Sequence, residues 1–223
     1  MDPRGDCDVV IPCRDEAGAL PAVLASVPDG FRAIVVDNGS VDGTSDVARM
    51  LGATVVEEPR PGYGAAVHAG VLAADAEYLA VVDGDDSMDL GELPKLLEAV
   101  HDGATMAVGR RRPIGRGVWP WHARGGTLLL ATWLRRSSGF AIHDLAPMRV
   151  CRREDLLALD VRDRRFGYPL ELMVKAARAG WTVEEIDVAY RRRAAGTRSK
   201  VSGSVRGTGR VVRDFAAVLA ERR

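Results

Sequence analysis

Three carboxylates within four residues follow an apolar run near the middle of the chain. Asp83, Asp85 and Asp86 come directly after residues 78–82, a Tyr-Leu-Ala-Val-Val run that predicts a buried strand. Carboxylates this close together repel one another unless a cation or a bound ligand lies among them. Core packing does not require such a cluster at the end of a strand. The sequence therefore predicts one half of a binding site at this position.

Several kinds of site use clustered carboxylates, and the neighbouring residues exclude most of them. An EF-hand loop starting at Asp83 would need glycine at its sixth position and glutamate at its twelfth, where this chain has Met88 and Pro94. A phosphorelay receiver would need a lysine at the end of its last strand, and a nucleotidyltransferase would need a glycine-rich basic loop after its first strand. The sequence has neither feature. The remaining interpretation is a divalent cation, Mg²⁺ or Mn²⁺, that Asp83 and Asp85 hold against the diphosphate of a nucleotide.

Short apolar runs alternate with helical patterns along the first part of the chain. Strands are predicted near residues 8–12, 33–36, 53–57, 78–82 and 105–109, and helices near residues 17–27, 64–74 and 92–100, with a further helix that ends near residue 51. This alternation predicts an α/β fold with a mainly parallel central sheet and helices on both faces. Ligands of such sheets bind beyond the carboxyl ends of the strands.

Four polar segments follow the first four predicted strands, so we expect them at one edge of the sheet. Each segment alone has a structural explanation, as a helix start, a turn or a loop hinge. Together they predict a site, whose residues come in chain order: Pro12, Arg14 and Glu16 after the first strand, Asp37 and Asn38 after the second, Gly62 and Gly64 after the third, and Asp83 and Asp85 after the fourth.

The second half of the chain is less regular. Residues 110–121 form a basic segment with glycine and proline, which predicts a flexible loop over the site. Helices are predicted near residues 125–136, 153–159 and 168–180, short extended segments near residues 140–144 and 147–151, and a final strand near residues 182–188.

Composition excludes the disordered and fibrous classes. The chain has 223 residues, of which 47% are hydrophobic and 28% charged, as in ordinary globular proteins. No apolar run approaches the roughly 20 residues of a membrane span, and the first six residues do not resemble a secretion signal, so we expect the protein in the cytoplasm. Cys7, Cys13 and Cys151 lack metal-ligand spacing, and we expect reduced thiols.

The net charge of zero conceals a basic carboxyl-terminal tail, residues 191–223. The tail has ten basic and two acidic side chains, so the rest of the chain is acidic. Such a tail favours a phosphate or anionic lipid partner, and the alternative is a solvated charge run. Within it, residues 205–219 place apolar and basic side chains on different sides of a helix. This amphipathic helix is predicted to lie on a membrane or to pack on the protein body.

An ordered series of motifs resembles the family-two glycosyltransferases of the GT-A fold. The series is Ile-Pro-Cys-Arg-Asp-Glu at 11–16, Val-Val-Asp-Asn-Gly-Ser-Val-Asp-Gly-Thr at 35–44, Pro-Gly-Tyr-Gly-Ala-Ala at 61–66 and Asp-Gly-Asp-Asp-Ser at 83–87. Within that family the chain is most similar to the dolichyl-phosphate mannose synthase and polyprenyl-phosphate glycosyltransferase group. Three later features agree: residues 144–149 resemble the acceptor-side aspartate motif, Glu171 the helix glutamate, and Tyr190 through Ser199-Lys200 the closing basic motif.

The resemblance implies a domain organisation and roles for the predicted residues. One GT-A domain would cover residues 1–190, with a nucleotide-sugar half of about residues 1–110 and an acceptor half of about residues 111–190. Pro12, Arg14, Glu16 and Asp37 would border the nucleoside, and Asp37 would accept a hydrogen bond from the base. Gly62 and Gly64 would approach the diphosphate or the ribose. Asp83 and Asp85 would hold Mg²⁺ or Mn²⁺, and Asp85 would thereby take part in catalysis.

Two acceptors fit these residues and require different chemistry. A sugar or small-molecule hydroxyl needs a general base, for which Asp144 is the best candidate. A polyprenyl phosphate is already an anion and needs cations that position it, which Arg193, Ser199, Lys200 and the basic tail would supply.

The function that we predict is metal-dependent transfer of a hexose from UDP- or GDP-hexose to a polyprenyl phosphate. We expect inversion at the sugar carbon, peripheral contact with the inner membrane face and no nucleic-acid partner. A soluble hydroxyl acceptor is the alternative within the enzyme class, and a non-catalytic sugar-nucleotide-binding protein is the alternative of another class. The donor base, the sugar and the oligomeric state stay open.

Overall fold

A computed structural model describes residues 7–193 of the chain, except residues 116, 120 and 146. In these described residues, seven strands form one sheet, with the order β3-β2-β1-β4-β6-β5-β7. Neighbouring strands are parallel except at β6, which is antiparallel to both β4 and β5. The predicted mainly parallel sheet is therefore confirmed. The strands are β1 (Cys7–Cys13), β2 (Phe31–Asp37), β3 (Thr54–Glu57), β4 (Tyr78–Val81), β5 (Met106–Pro113), β6 (Arg149–Arg152) and β7 (Val183–Tyr190).

Seven α-helices connect the strands within the described part of the chain. Proline at the first or second helical position starts α1, α4 and α7, where the missing N–H of proline leaves no intrahelical hydrogen bond unmade. The helices are α1 (Leu20–Ala25), α2 (Thr44–Met50), α3 (Tyr63–Ala73), α4 (Leu93–His101), α5 (Trp121–Ser138), α6 (Arg153–Ala158) and α7 (Tyr168–Arg178), and a short 3₁₀ helix (Leu90–Glu92) precedes α4. Within the described part of the chain, no helix is both long and apolar enough to cross a bilayer.

The hydrophobic core has two layers, one on each face of the sheet. Along β1, Val10 packs into one layer, whereas Val9 and Ile11 pack into the other, because successive strand residues point to opposite faces. Side chains of α3 and α7 complete the first layer, and side chains of α1 and α4 complete the second. Cys7, Cys13 and Cys151 are buried in these layers, and none of the three forms a disulfide.

The prediction of a loop over residues 110–121 was wrong in its first part. Residues 110–113 continue β5, where they pair with β7 up to Pro113 and Tyr190. Two cross-strand ion pairs support this extension: Arg110 with Glu185 at 3.8 Å and Arg112 with Asp187 at 2.7 Å. The sequence pattern missed the strand because its arginines are paired with acids 75 residues further along the chain.

Other element boundaries also differ from the predictions. Helix α1 begins at Leu20 rather than near residue 17, because residues 17–19 form turns. Helix α5 is longer at both ends than predicted, and the final strand extends to Tyr190. The predicted extended segment at residues 140–144 pairs with no strand of the described chain.

Candidate active site

The sheet topology brings the predicted polar segments to one edge. Six strands have their carboxyl ends there, and antiparallel β6 has its amino end there, because Arg149 of β6 pairs with Val81 at the end of β4. The segments after β1 to β4 and the residues at the ends of β5 and β7 therefore surround a common region. This is the edge at which parallel sheets bind ligands.

The loops after β1 and β2 form one hydrogen-bonded unit. The backbone N–H groups of Asp15 and Glu16 donate to Ser40 Oγ at 2.9 Å and to Thr44 Oγ1 at 3.0 Å. In return, the N–H of Val41 donates to Asp15 Oδ1 at 2.9 Å. Of the predicted nucleoside residues in this unit, Arg14 is exposed, Pro12 is half-buried and Glu16 is buried.

Asp37 stabilises the loop that follows β2. Its carboxylate accepts hydrogen bonds from the N–H of Ser40, at 2.8 Å, and from the hydroxyl of Ser45. Burial alone would raise the pKa of Asp37, but the hydrogen bonds from Ser45 and Ser40 lower it below its ordinary value. Asp37 is therefore ionised at neutral pH. A carboxylate has further lone pairs, so the predicted hydrogen bond from a base N–H is compatible with these contacts.

Asn38 joins the loops after β2 and β3, a role that the sequence did not reveal. Its amide nitrogen donates to the carbonyl oxygens of Glu58 and Arg60, at 2.9 and 2.7 Å. Its amide oxygen accepts from the N–H of Gly62 at 2.8 Å. The sequence pattern indicated only a turn at Asn38, because its partners lie 20 to 24 residues away.

Gly62 and Gly64 lie against the backbone of the loop that precedes α7. A Cβ atom at Gly62, whose φ is 149°, would lie 2.1 Å from the carbonyl oxygen of Arg164, and one at Gly64 would lie 2.4 Å from that of Asp163. The N–H of Gly64 donates to the carbonyl oxygen of Arg165 at 3.0 Å. The two glycines are thus required by packing inside the protein, whatever else they approach.

Glu171 of α7 holds that same loop in place. Its two carboxylate oxygens accept hydrogen bonds from the N–H groups of Arg162 and Asp163, at 2.9 and 2.6 Å. The glutamate that resembles the helix glutamate of the family is therefore a structural partner of the loop on which Gly62 and Gly64 pack.

Asp83 and Asp85 lie beyond the end of β4 in different environments. Asp85 is buried, accepts a hydrogen bond from the N–H of Ser87 at 3.0 Å and forms an ion pair with Arg193, with 2.9 Å between Nε and Oδ2. Asp83 is half-buried and forms no ion pair with any residue that the structure describes. Between them, Gly84 fits closely against β1, since a Cβ atom there would lie 2.5 Å from Cys13 Sγ.

The electrostatics of Asp83 reflect its burial beside a second carboxylate. Burial and the neighbouring charge of Asp85 raise the pKa of Asp83 to about 6, although Arg193, Arg111 and Arg149 oppose the shift. Among residues 7–193 as described, no group of three or more His, Cys, Asp or Glu side chains is arranged as a metal site. Two neighbouring carboxylates are hard oxygen ligands that fit Mg²⁺ or Mn²⁺ when phosphate and water supply the remaining ligands.

Half-buried Arg111 and buried Asp144 form an ion pair next to this cluster. The guanidinium donates from Nε and Nη2 to the two carboxylate oxygens, at 2.8 and 2.7 Å, and the N–H of Arg111 donates to Asp144 at 3.0 Å. Burial alone would lower the pKa of Arg111, but Asp144 raises it overall, so the guanidinium stays charged. Both oxygens of Asp144 are thus bound to Arg111, which is not the environment of a free general base.

Aromatic rings and a second acid fix the position of this pair. The guanidinium carbon of Arg111 lies 4.1 Å from the ring centre of Trp119 and 5.4 Å from that of Tyr190. Glu185 of β7 accepts the N–H of Asp144 at 2.9 Å. These contacts therefore hold the positively charged guanidinium of Arg111 in a fixed position.

Arg111 and Arg149 are site residues that the sequence-based prediction did not include. Arg111 is contributed by β5 and Arg149 by β6, the two strands that follow β4 in the order of the sheet. Arg149 is only 4% exposed, which is unusual for an arginine. Their charges act on Asp83 together with that of Arg193. The available signals were three consecutive arginines after an apolar run and the arginine that closes residues 144–149. The predicted contacts of Ser199, Lys200 and the amphipathic tail helix lie outside the described residues.

Comparison with known proteins identifies similar sequences and folds. The family model of glycosyl transferase family 2 matches residues 8–155. An uncharacterised glycosyltransferase of Mycobacterium tuberculosis is 56% identical over 95% of this chain and 97% of its own length. The dolichyl-phosphate hexose transferase of Haloferax volcanii is 34% identical over 86% of each chain.

A solved structure gives an independent view of the fold. Glucosyl-3-phosphoglycerate synthase of Mycobacterium tuberculosis, crystallised with Mn²⁺, UDP and glucosyl-3-phosphoglycerate, superposes with a TM-score of 0.76. The match covers 98% of this chain and 80% of that one, at 24% sequence identity. This likeness confirms the predicted fold.

Proposed function

The chain belongs to glycosyl transferase family 2 and is a glycosyltransferase of the GT-A fold, and we propose that it transfers a hexose from UDP- or GDP-hexose to a polyprenyl phosphate. The observation that carries the choice of acceptor is the Arg111–Asp144 pair, in which the only predicted base has both oxygens bound to a guanidinium. A dolichyl-phosphate hexose transferase among the relatives supports the same choice.

The donor would bind across the loops after β1 to β4. Pro12, Arg14, Glu16 and Asp37 are proposed to border the nucleoside, with Gly62 and Gly64 at the diphosphate or ribose. Asp83 and Asp85 would hold Mg²⁺ or Mn²⁺, which when bound neutralises charge on the diphosphate leaving group. The solved structure of similar fold contains Mn²⁺ and UDP, in support of this assignment.

The acceptor step needs positioning rather than proton removal. A phosphate oxygen of the lipid would attack the anomeric carbon, forming a carbon–oxygen bond while the bond to the diphosphate breaks and the nucleoside diphosphate leaves. The attack inverts the anomeric centre, and no base is required because the nucleophile is already an anion. Arg111, held by Asp144, and Arg193 would position that anion near the acidic cluster.

The proposal gives the two parts of the chain different tasks. Residues 1–190 would form the catalytic domain, with the donor half first and the acceptor half after it. The basic tail, residues 191–223, would add Ser199 and Lys200 to the acceptor phosphate site. Reaction with a membrane-embedded lipid phosphate would take place peripherally, at the inner membrane face.

Release of nucleoside diphosphate from a panel of UDP- and GDP-hexoses, with Mn²⁺ and with or without a short-chain polyprenyl phosphate, tests the proposal. We expect the lipid phosphate to stimulate release from one donor. Asp85→Asn should lower that rate by about tenfold to a hundredfold or more. Asp86→Asn is the matched control, because Asp86 belongs to the same cluster but is not a proposed ligand, and asparagine tolerates its φ of 59°.

Other outcomes would lead to different conclusions. If a donor is hydrolysed and the lipid phosphate has no effect, the acceptor is wrong and a soluble hydroxyl compound replaces it. If donors bind with metal but no transfer or hydrolysis occurs with any acceptor, the protein is a sugar-nucleotide-binding protein. If Asp86→Asn is as damaging as Asp85→Asn, the assignment of the metal ligands fails.

A further inference from the structure

Helix α5 (Trp121–Ser138) has one face in the core and an unusual face outside it. Ala131 and Leu134 are fully buried, and Trp133 packs beside them on the core. Outside this buried face, α5 exposes two adjacent leucines, Leu128 at 54% and Leu129 at 74%. A single exposed apolar residue is ordinary, but two neighbouring leucines that protrude from a packed helix are a candidate contact surface.

The charged residues of helix α5 are all positive. Helix α5 contains Arg124, Arg135 and Arg136 and no acidic residue, and Arg124 and Arg136 are exposed. We define the α5 face as Arg124, Leu128, Leu129 and Arg136. Long arginine side chains can keep their charges at a polar surface while neighbouring leucines enter an apolar layer.

We propose that the α5 face docks on an anionic membrane surface, an inference that rests on the proposed lipid-phosphate acceptor. An anionic bilayer matches both properties of the face, because lipid headgroups attract the arginines and the acyl boundary accepts the leucines. A second copy of the chain would place arginines against arginines. The basic tail, with ten basic and two acidic residues, has the same sign of charge as the α5 face and is a poor partner for it.

The position of α5 relative to the site supports this surface. The helix begins two residues after Trp119, the ring that lies 4.1 Å from the Arg111 guanidinium. Docking through the α5 face would therefore bring a bilayer next to the arginine that is proposed to bind the lipid phosphate. The acceptor could then reach the site while its hydrocarbon chain remains in the membrane.

Vesicle co-sedimentation of the full chain, without metal, nucleotide or polyprenyl phosphate, tests docking alone. The probes are vesicles of phosphatidylcholine and vesicles that also contain phosphatidylglycerol. We expect binding to the anionic vesicles, and we expect L128S/L129S to weaken it at least about tenfold. The matched control is M50S/L51S, which changes another adjacent exposed apolar pair, 79% and 46% exposed, at the end of α2.

A second variant and two further measurements complete the test. Circular dichroism and urea unfolding establish that L128S/L129S is folded, and R124Q/R136Q should also weaken binding to anionic vesicles. Transfer to a short-chain acceptor free in solution should be unchanged in L128S/L129S, which separates failure of docking from failure of the proposed function. Unchanged vesicle binding in L128S/L129S, equal loss in M50S/L51S, or absence of binding by the wild type would each overturn the proposal. A change of oligomeric mass in L128S/L129S would assign the face to a second copy instead.

Discussion

Arg193 forms an ion pair with Asp85, which is also a proposed metal ligand, so the structure predicts that the arginine and the metal compete. The perturbation that tests this is Arg193→Ala. In the metal-free protein the change removes the only ion pair of Asp85 among the described residues. In this variant, Mn²⁺ would not have to displace the guanidinium of Arg193, and the positive charge of the guanidinium would no longer repel the metal. We therefore expect Arg193→Ala to bind Mn²⁺ more tightly than the wild type.

The contact geometry sets the size of the effect. Nε and Oδ2 are 2.9 Å apart, and the side chains of Arg193 and Asp85 are 32% and 6% exposed. A hydrogen bond between charged groups contributes about 1.5–3 kcal/mol, and partial exposure of Arg193 favours the lower end. About 1.4 kcal/mol corresponds to a tenfold change in an equilibrium constant, so the Kd for Mn²⁺ should fall about tenfold.

The assay is titration of Mn²⁺ into the full chain without nucleotide, with the electron paramagnetic resonance signal of free Mn²⁺ as the readout. Arg191→Ala is the matched control, because Arg191 lies two residues away and its side chain pairs with Asp89 at 3.1 Å. That pair is more exposed, and we expect less than about 1 kcal/mol of stability from it and no change in Mn²⁺ affinity.

An unchanged or higher Kd for Mn²⁺ in Arg193→Ala would refute the competition. Urea unfolding supplies a second check, since the metal-free variant should lose about 1 kcal/mol of stability and saturating Mn²⁺ should restore more stability to it than to the wild type. If Mn²⁺ affinity is unchanged while UDP binding weakens, Arg193 contacts the diphosphate instead of competing with the metal.

Three further predictions concern stability and thiol chemistry. Gly64→Ala should lower the free energy of unfolding in urea by about 1–3 kcal/mol, because its Cβ would overlap backbone atoms. Gly125→Ala, whose Cβ would have nothing within 4 Å, should be neutral or stabilising by up to about 1 kcal/mol. Equal effects of the two changes would contradict the packing argument. Burial raises the pKa of Cys151 to about 12, so a thiol reagent should modify it only after unfolding, and rapid labelling of the folded protein would contradict its burial. Hydrogen bonds outweigh burial and lower the pKa values of Asp37 and Asp42 below 3.8. The stability that these two carboxylates provide is therefore present above about pH 4 and is lost as the pH falls through the lowered pKa values. Asp42→Asn should reduce this acid dependence in unfolding curves measured across that range.

The candidate site has two kinds of residue, and they differ in how far the sequence could predict them. Asp37, Asp83 and Asp85 follow apolar strand patterns directly, so their place at the edge of the sheet followed from the alternation of strands and helices. Arg149 could not be placed in this way, and although Asn38 was placed at the same edge, its contacts could not be predicted. Their surroundings depend on partners from other loops and on the insertion of antiparallel β6 between β4 and β5.

The glycines illustrate the same difference for one motif. The sequence alone indicated a loop hinge at Gly62 and Gly64, and the motif resemblance implied that they approach the diphosphate or the ribose of a nucleotide. The structure shows a close approach within the protein, to the backbone of residues 163–165 about 100 residues later. No local pattern contains that contact, because the loop is fixed by Glu171 of α7.

By itself the sequence determined the α/β class, the order of most elements and the edge at which the polar segments meet. These features follow from hydrophobic periodicity and turn chemistry, which act over a few residues. Only the tertiary structure decided that Asp144 pairs with Arg111, and that Arg193 pairs with Asp85. Ion pairs and close packing depend on distances between residues that are far apart in the chain, and such distances are set only when the sheet and its two core layers assemble.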